Sequence, residues 1–278
     1  MRTEFLTIFW RDMLKFFRIR SMLFTSLVQP AIWLALYGLS MSSNFELLTS
    51  GAAPPPGVLA VNYLTFMAAG VVSLTILFTC LYSGITLQFD KEFGLMKEMV
   101  ASPLPRSHIL IGLSLSGVTK SLIQSIVIFL FGYVLGVRFF EGFTLASTVL
   151  SILGIFLFVV LLAFGLLFLS SMIALKLESH EGLQGVITLL SLPLFFASNA
   201  LYPITSLPVV IRMASYVNPL SHFINGFRYF SLGSDFYAFG MHYIFSSYDI
   251  LISLAFLIGF DVITYLLALR TIKKTKIV

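Results

Sequence analysis

Residues 145–175 read LASTVLSILGIFLFVVLLAFGLLFLSSMIAL, and no charged residue occurs between Glu141 and Lys176. As a helix this stretch would cover about 45 Å at 1.5 Å per residue, more than the ~30 Å hydrocarbon core of a bilayer. A helix apolar on every side is enclosed either by protein or by lipid, and the rest of the chain decides for lipid. Of its 278 residues 58% are hydrophobic and 10% charged, with a mean hydropathy of +0.99. Soluble domains carry about 25% charged residues, so this chain has too little charge to clothe a water-facing surface.

Outward from that stretch, five more apolar segments of spanning length fall at about 21–39, 61–87, 109–137, 182–201 and 249–269. The fold expected is all-α, a single polytopic membrane domain of six transmembrane helices, with seven as the rival count. Residues 1–20 precede the first span as a distinct amphipathic segment. Glu4, Thr7, Arg11, Lys15 and Arg18 recur at helical spacing, with Phe5, Leu6, Phe9, Met13, Phe16 and Phe17 opposite. Such a helix lies in the membrane interface. Residues 202–248 are broken by Pro203, Pro208 and Pro219 and hold Arg212, His222, Asn225, Arg228, Asp235 and His242, too many polar groups for a lipid-exposed span. Two short re-entrant helices fit that stretch, the second capped by Asn218 with Pro219 in its first turn.

Charge sets the orientation. Thirteen Lys/Arg fall in 1–20, 88–108, 176–181 and the tail after Leu269; three fall in the opposite loops, and Lys120 stays within a span. The basic side is cytoplasmic, which puts both termini in the cytoplasm and makes 202–248 external. A net charge of +5 does not indicate nucleic acid here, because the basic residues sit beside the apolar runs as topology signals. The single cysteine, Cys80, excludes an intramolecular disulfide and a cysteine metal cluster. No G-x-x-x-x-G-K-[ST] loop or catalytic motif is present, and the four histidines are scattered over both sides, so no metal site is expected. Energy for transport has to come from an ion gradient or from another chain.

Two stretches carry a family resemblance. The first runs from Lys91-Glu92-Phe93-Gly94-Leu95-Met96-Lys97-Glu98-Met99 to Ser102-Pro103-Leu104-Pro105-Arg106; the second is Leu201-Tyr202-Pro203, Leu207-Pro208, Asn218-Pro219-Leu220 and Arg228. In order, spacing and side of the membrane they resemble the motifs of type-2 ATP-binding-cassette exporter permeases. The likeness covers nearly the whole chain, although the link Lys176–Glu181 is shorter than many such permeases have. The resemblance implies a transport subunit that is not itself an enzyme, in a plasma (inner) membrane. It also implies two permeases, identical or related, assembled with cytosolic ATPase subunits that hold ATP and Mg, no cofactor being bound by this chain. It assigns coupling to Glu92, Phe93, Gly94, Lys97, Pro103 and Arg106, with Glu178 and His180 in the second loop. It also marks Pro203, Asn218, Pro219 and Arg228 in the re-entrant segment.

The residues add their own expectations. Phe93, Met96 and Val100 share one face of a short cytoplasmic helix, and Pro103 and Pro105 fix its angle to the third span. The bland reading of 88–108 is a solvated loop with topology charges. Lys120 and Asp261 lie within spans at similar depth, roughly 13–17 Å from the cytoplasmic boundary. They either pair, or Lys120 snorkels and Asp261 is protonated or hydrated. Arg228 either orders carbonyls of the broken helices or attracts an anionic lipid headgroup. Phe66, Phe78, Phe195, Phe196 and Asn199 are the residues expected along a path for an amphipathic or hydrophobic substrate. An ion-gradient transporter is the alternative, and for it only Asp261 qualifies as a coupling group.

Overall fold

The structure, a computed structural model, describes residues 4–49, 54–102 and 104–274. It is mostly helical. In chain order come α1 (Glu4–Arg18), α2 (Arg20–Ile32), a π-helical segment (Trp33–Gly38) and α3 (Leu39–Thr49). Next are β1 (Leu59–Ala60), α4 (Tyr63–Glu92), α5 (Leu95–Ala101), α6 (Arg106–Val134) and α7 (Leu145–Lys176). The chain ends in α8 (His180–Phe196), α9 (Val209–Tyr216), α10 (Pro219–Leu232), β2 (Asp235–Ala238), β3 (Met241–Ile244) and α11 (Ser247–Lys274). Among the described residues four helices, α4, α6, α7 and α11, are long and apolar enough to cross a membrane.

Several ends fall away from the expected boundaries. The first helical run does not stop at Leu39: α2, the π-segment and α3 continue without a break to Thr49, the π-segment starting three residues after Pro30. Ser43 and Asn44 bond back to the Ser40 carbonyl and keep this polar stretch helical. α8 ends at Phe196 rather than Leu201, and residues 198–201 fold inward and are buried.

The segment 202–248 contains the two expected helices, with Asn218 accepting from the Leu220 N–H at 3.0 Å and Pro219 opening α10. It also contains strands, a correction to the purely helical expectation. β2 and β3 form an antiparallel hairpin, and β1 pairs parallel with β2 through Leu59↔Phe236 and Ala60↔Tyr237. The hairpin turns on Phe239 and Gly240, both at positive φ, the geometry of a two-residue turn.

α4 is the hub of the packing. It is almost wholly buried, with α6, α7, α8, α10 and the first helical run around it. Small residues let its neighbours come close: a Cβ on Gly70 would fall 2.6–2.8 Å from the Ala200 backbone and methyl. Toward its other end Ser170 of α7 accepts from the Gly84 N–H and donates to the Leu81 carbonyl. α7 in turn seats α10 and α11, and α10 is buried along most of its length. The bundle has two ends, one carrying α5 and the other carrying the sheet.

Candidate functional site

At the α5 end, α4 stops where Gly94 takes φ +78°, a left-handed conformation suited to glycine. α5 then seats Met96, fully buried, with Val100 half-buried beside it. Phe93 does not join that face. It lies in the turn before α5 rather than on the helix and is 81% exposed, so the shared face expected for Phe93, Met96 and Val100 is corrected to Met96 and Val100. Phe93 stacks on Phe89 (5.9 Å between centroids), and Phe89 stacks on His180 (4.4 Å). His180 opens α8, whose first turn is capped by Ser179. Two loops that lie far apart in sequence thus present one aromatic surface, bordered by exposed Glu92, Lys97, Glu98 and Glu178. Pro103 lies outside the described residues.

Cations lock this end to the bundle by occupying orphan carbonyls at helix C-termini. Lys91 donates to the Leu177 carbonyl at 2.7 Å and reaches that of Leu175 at 3.5 Å, where α7 ends. Arg106, the first residue of α6, donates to the Ile272 and Lys273 carbonyls at 2.9 Å each, in the last turn of α11. The amphipathic α1 joins the same belt. Ile8, Asp12, Met13 and Phe16 face the protein, Leu6, Trp10, Leu14 and Phe17 are exposed, and Arg11 and Lys15 lie along an edge. Arg11 and Lys15 both pair with Asp90 of α4, at 2.6 and 3.1 Å.

Asp12 carries a further correction. Lys120 pairs with it at 2.5 Å, and Ser116 of α6 also donates to the same carboxylate oxygen. The pairing of Lys120 with Asp261 is therefore not made within the chain. Asp261 faces α7 instead, where a Cβ on Gly165 would come 2.5 Å from its Oδ1. The findable signal was an acid within the apolar face of α1, four residues from both Ile8 and Phe16.

At the sheet end the central residue is Arg228, 1% exposed on α10. Its Nη2 donates to the carbonyls of Phe66 (3.1 Å), Asn199 (2.9 Å) and Ala200 (3.4 Å), and its guanidinium lies 3.4 Å from the Phe66 ring centroid. Of the two readings of Arg228, the geometry matches carbonyl ordering. Asn218 does related work: besides capping α10 it donates to the Leu194 carbonyl at 2.6 Å, an orphan acceptor near the end of α8. Pro203 is buried beside this turn. Tyr243 on β3 packs against Phe66, and burial pushes its phenol up to about 12, so it stays neutral near Arg228.

The expected path residues separate into three places. Phe66 and Asn199 belong to the Arg228 cluster and are buried, Asn199 also donating to Asn225. Phe195 is buried against Trp33 of the π-segment, while Phe196, on the same tryptophan, is 40% exposed. Phe78 borders a cleft of about 360 Å³ between α1, α2, α4 and α6.

Comparison with known proteins gives the chain a family. A family model described as ABC-2 type transporter matches residues 3–232. The chain is 32% identical over 255 residues to a putative transport permease ycf38 of Cyanophora paradoxa, covering 90% of this chain and 82% of that one. The ycf38 permease of Porphyra purpurea is 30% identical over 227 residues, 81% of this chain and 72% of the other. At 23% identity over 217 residues, 78% and 71% of the two chains, it is similar to the daunorubicin resistance ABC transporter permease protein DrrB1 of Streptomyces coeruleorubidus.

Proposed function

The chain belongs to the ABC-2 type transporter family, and on that premise we propose that it is the permease subunit of an ATP-driven exporter whose ATPase is a separate polypeptide. It is a multi-pass membrane protein. In this reading six segments cross the bilayer, α8 and the α2–α3 run joining α4, α6, α7 and α11, with both termini cytoplasmic in a plasma (inner) membrane. α10 enters from outside as a re-entrant helix; its burial among α4, α7 and α11 supports this, since broken backbone at membrane depth has to be shielded by protein. The ATP and its Mg belong to the partner, and a second permease, identical or related, completes the path. The cargo is amphipathic or hydrophobic, a class that the name of the Streptomyces relative, with its daunorubicin resistance, fits.

The observation that carries the reading is the surface at the α5 end. Phe93 is 81% exposed and backed by the Phe89–His180 stack, and the loop that holds it is tied to α7 and α11 through Lys91 and Arg106. An exposed aromatic on a braced mount suits docking into a cleft on a partner. Closure of two ATPases would push there, tilt α4 and α6, and open a path between the permeases. The test is co-purification of the tagged chain in mild detergent, followed by an ATPase assay. A stoichiometric cytosolic ATPase is expected, and it should be lost when Glu92, Lys97 and Glu98 are charge-reversed. A chain that transports without any ATPase would instead favour gradient coupling.

A further inference from the structure

The cleft between α1, α2, α4 and α6 has a lining that the coupling machinery does not use. Its volume of about 360 Å³ lies within the ~300–1,000 Å³ of small-molecule sites. One wall is apolar, built from Phe16, Phe78, Tyr82 and Ile85. Among the described residues the only charge on the lining is Lys120, and it is neutralised by Asp12. Another part of the lining is a relay of neutral polar groups. Gln124 donates to the Ser26 hydroxyl at 2.6 Å and accepts from Thr79 through its Oε1.

Three further polar side chains open onto this space. Gln29, Ser83 and Thr86 make no hydrogen bond to protein among the described residues. Thr86 lies six residues from the end of α4 and Ser83 nine, about 9 and 14 Å along the helix. That depth corresponds to the inner headgroup boundary and the layer just above it. Hydrocarbon offers such groups no partner, and leaving them unmet costs free energy. On the flanks, Phe17 of α1 and Phe24 and Val28 of α2 are exposed and suit acyl chains.

We infer that this cleft binds the uncharged, hydroxyl-bearing head of an amphiphile drawn from the inner leaflet, with a glycosyl diacylglycerol as the chemical class. Hydroxyls of the head meet Gln29, Ser83 and Thr86, the aromatic wall takes its apolar face, and the chains leave between α1 and α2. An anionic head gains little from the described lining, whose one cation, Lys120, is already paired. The inference rests on the membrane placement of these helices and needs no ATPase. Its failure therefore leaves the ATP-coupling reading standing, and the reverse holds too.

The experiment uses the full chain in phosphatidylcholine nanodiscs without a partner. A monoglucosyl diacylglycerol and a phosphatidylglycerol carry the same diazirine on the same chain, and labelled peptides are mapped by mass spectrometry. The glucosyl probe should label the α4 peptide around Phe78–Thr86 at least about fivefold over the phosphatidylglycerol. Ser83→Ala combined with Thr86→Val should lower that labelling roughly tenfold, the size expected for two hydrogen bonds of about 0.7 kcal/mol each. Neither residue has a protein partner to lose, so folding should be unchanged, which the melting temperature checks. Equal labelling by both lipids, indifferent to the double substitution, would overturn the inference in favour of annular lipid. A preference for phosphatidylglycerol that disappears in Lys120→Met would overturn it in favour of an anion site.

Discussion

Arg228 shows how one residue holds a broken backbone together. A buried guanidinium is costly unless its donors are met. Here the acceptors are carbonyls of Asn199 and Ala200, in the turn after α8, and of Phe66 in α4. Gly70, one turn along α4, lets that turn approach closely enough to be reached. All three carbonyls are met by Nη2 alone, and what lysine lacks here is the flat guanidinium lying face-on against Phe66. Arg228→Lys should therefore cost about 1–3 kcal/mol, read as a lower melting temperature of the detergent-solubilised chain by fluorescence-detected size exclusion. A melting temperature equal to wild type would mean that the carbonyls are satisfied without the guanidinium. The cation and the Asn-Pro pair were legible in the sequence. Their acceptors were not, because they are main-chain atoms, those of Asn199 and Ala200 freed only once α8 ends at Phe196 and that of Phe66 lying inside α4.

At the scale of elements, α1 is a structural member as well as an interfacial one. Its protein face includes Asp12, which meets Lys120 and Ser116 of α6, and its edge cations hold Asp90 of α4. Depth along a helix axis suggested Asp261 as the partner of Lys120. That reasoning treated α1 as a two-faced helix lying apart, whereas it has three faces and packs on α6. The β2–β3 hairpin was missed for a similar local reason: apolar Phe236 and Ala238 alternate before a Phe-Gly turn, a weaker signal than Asn-Gly. The long apolar helices, the amphipathic start and the cap of α10 needed only local periodicity and capping chemistry, and they were legible. The Asp12–Lys120 pair, its carboxylate buried and its ammonium part-buried, predicts non-additivity. Asp12→Asn should destabilise by about 1–3 kcal/mol, since it leaves the ammonium without its counter-charge, while Asp12→Leu with Lys120→Met should recover most of that. Additive losses in a thermal-shift double-mutant cycle would show that the two side chains do not act as a pair.

If the proposed ATPase docks at the α5 end, the question for the whole molecule is how a push there would reach the opposite end of the bundle. α4 runs unbroken from the turn at Phe93 to Asn62, beside the sheet, and at its far end it is bound to Arg228 through the Phe66 carbonyl. α7 and α11 do not contain the docking surface, and they are tied to it by Lys91 and Arg106. On the proposed coupling, docking and transmission would be carried by different residues and can be separated. Phe93→Ala removes an exposed ring that touches little besides Phe89, so it should change stability by no more than about 0.5 kcal/mol. It should nevertheless weaken ATPase binding by tenfold or more, as expected of an aromatic anchor worth about 1.4 kcal/mol or more. Arg106→Gln keeps the ring and its stack but cannot clamp two carbonyls of α11. It should retain ATPase binding, while stimulation of the ATPase by transported substrate falls several-fold. Both quantities come from one preparation, by pull-down stoichiometry and by phosphate release with and without substrate. If both variants lose binding equally, Arg106 is part of the docking surface and transmission runs through α4 alone.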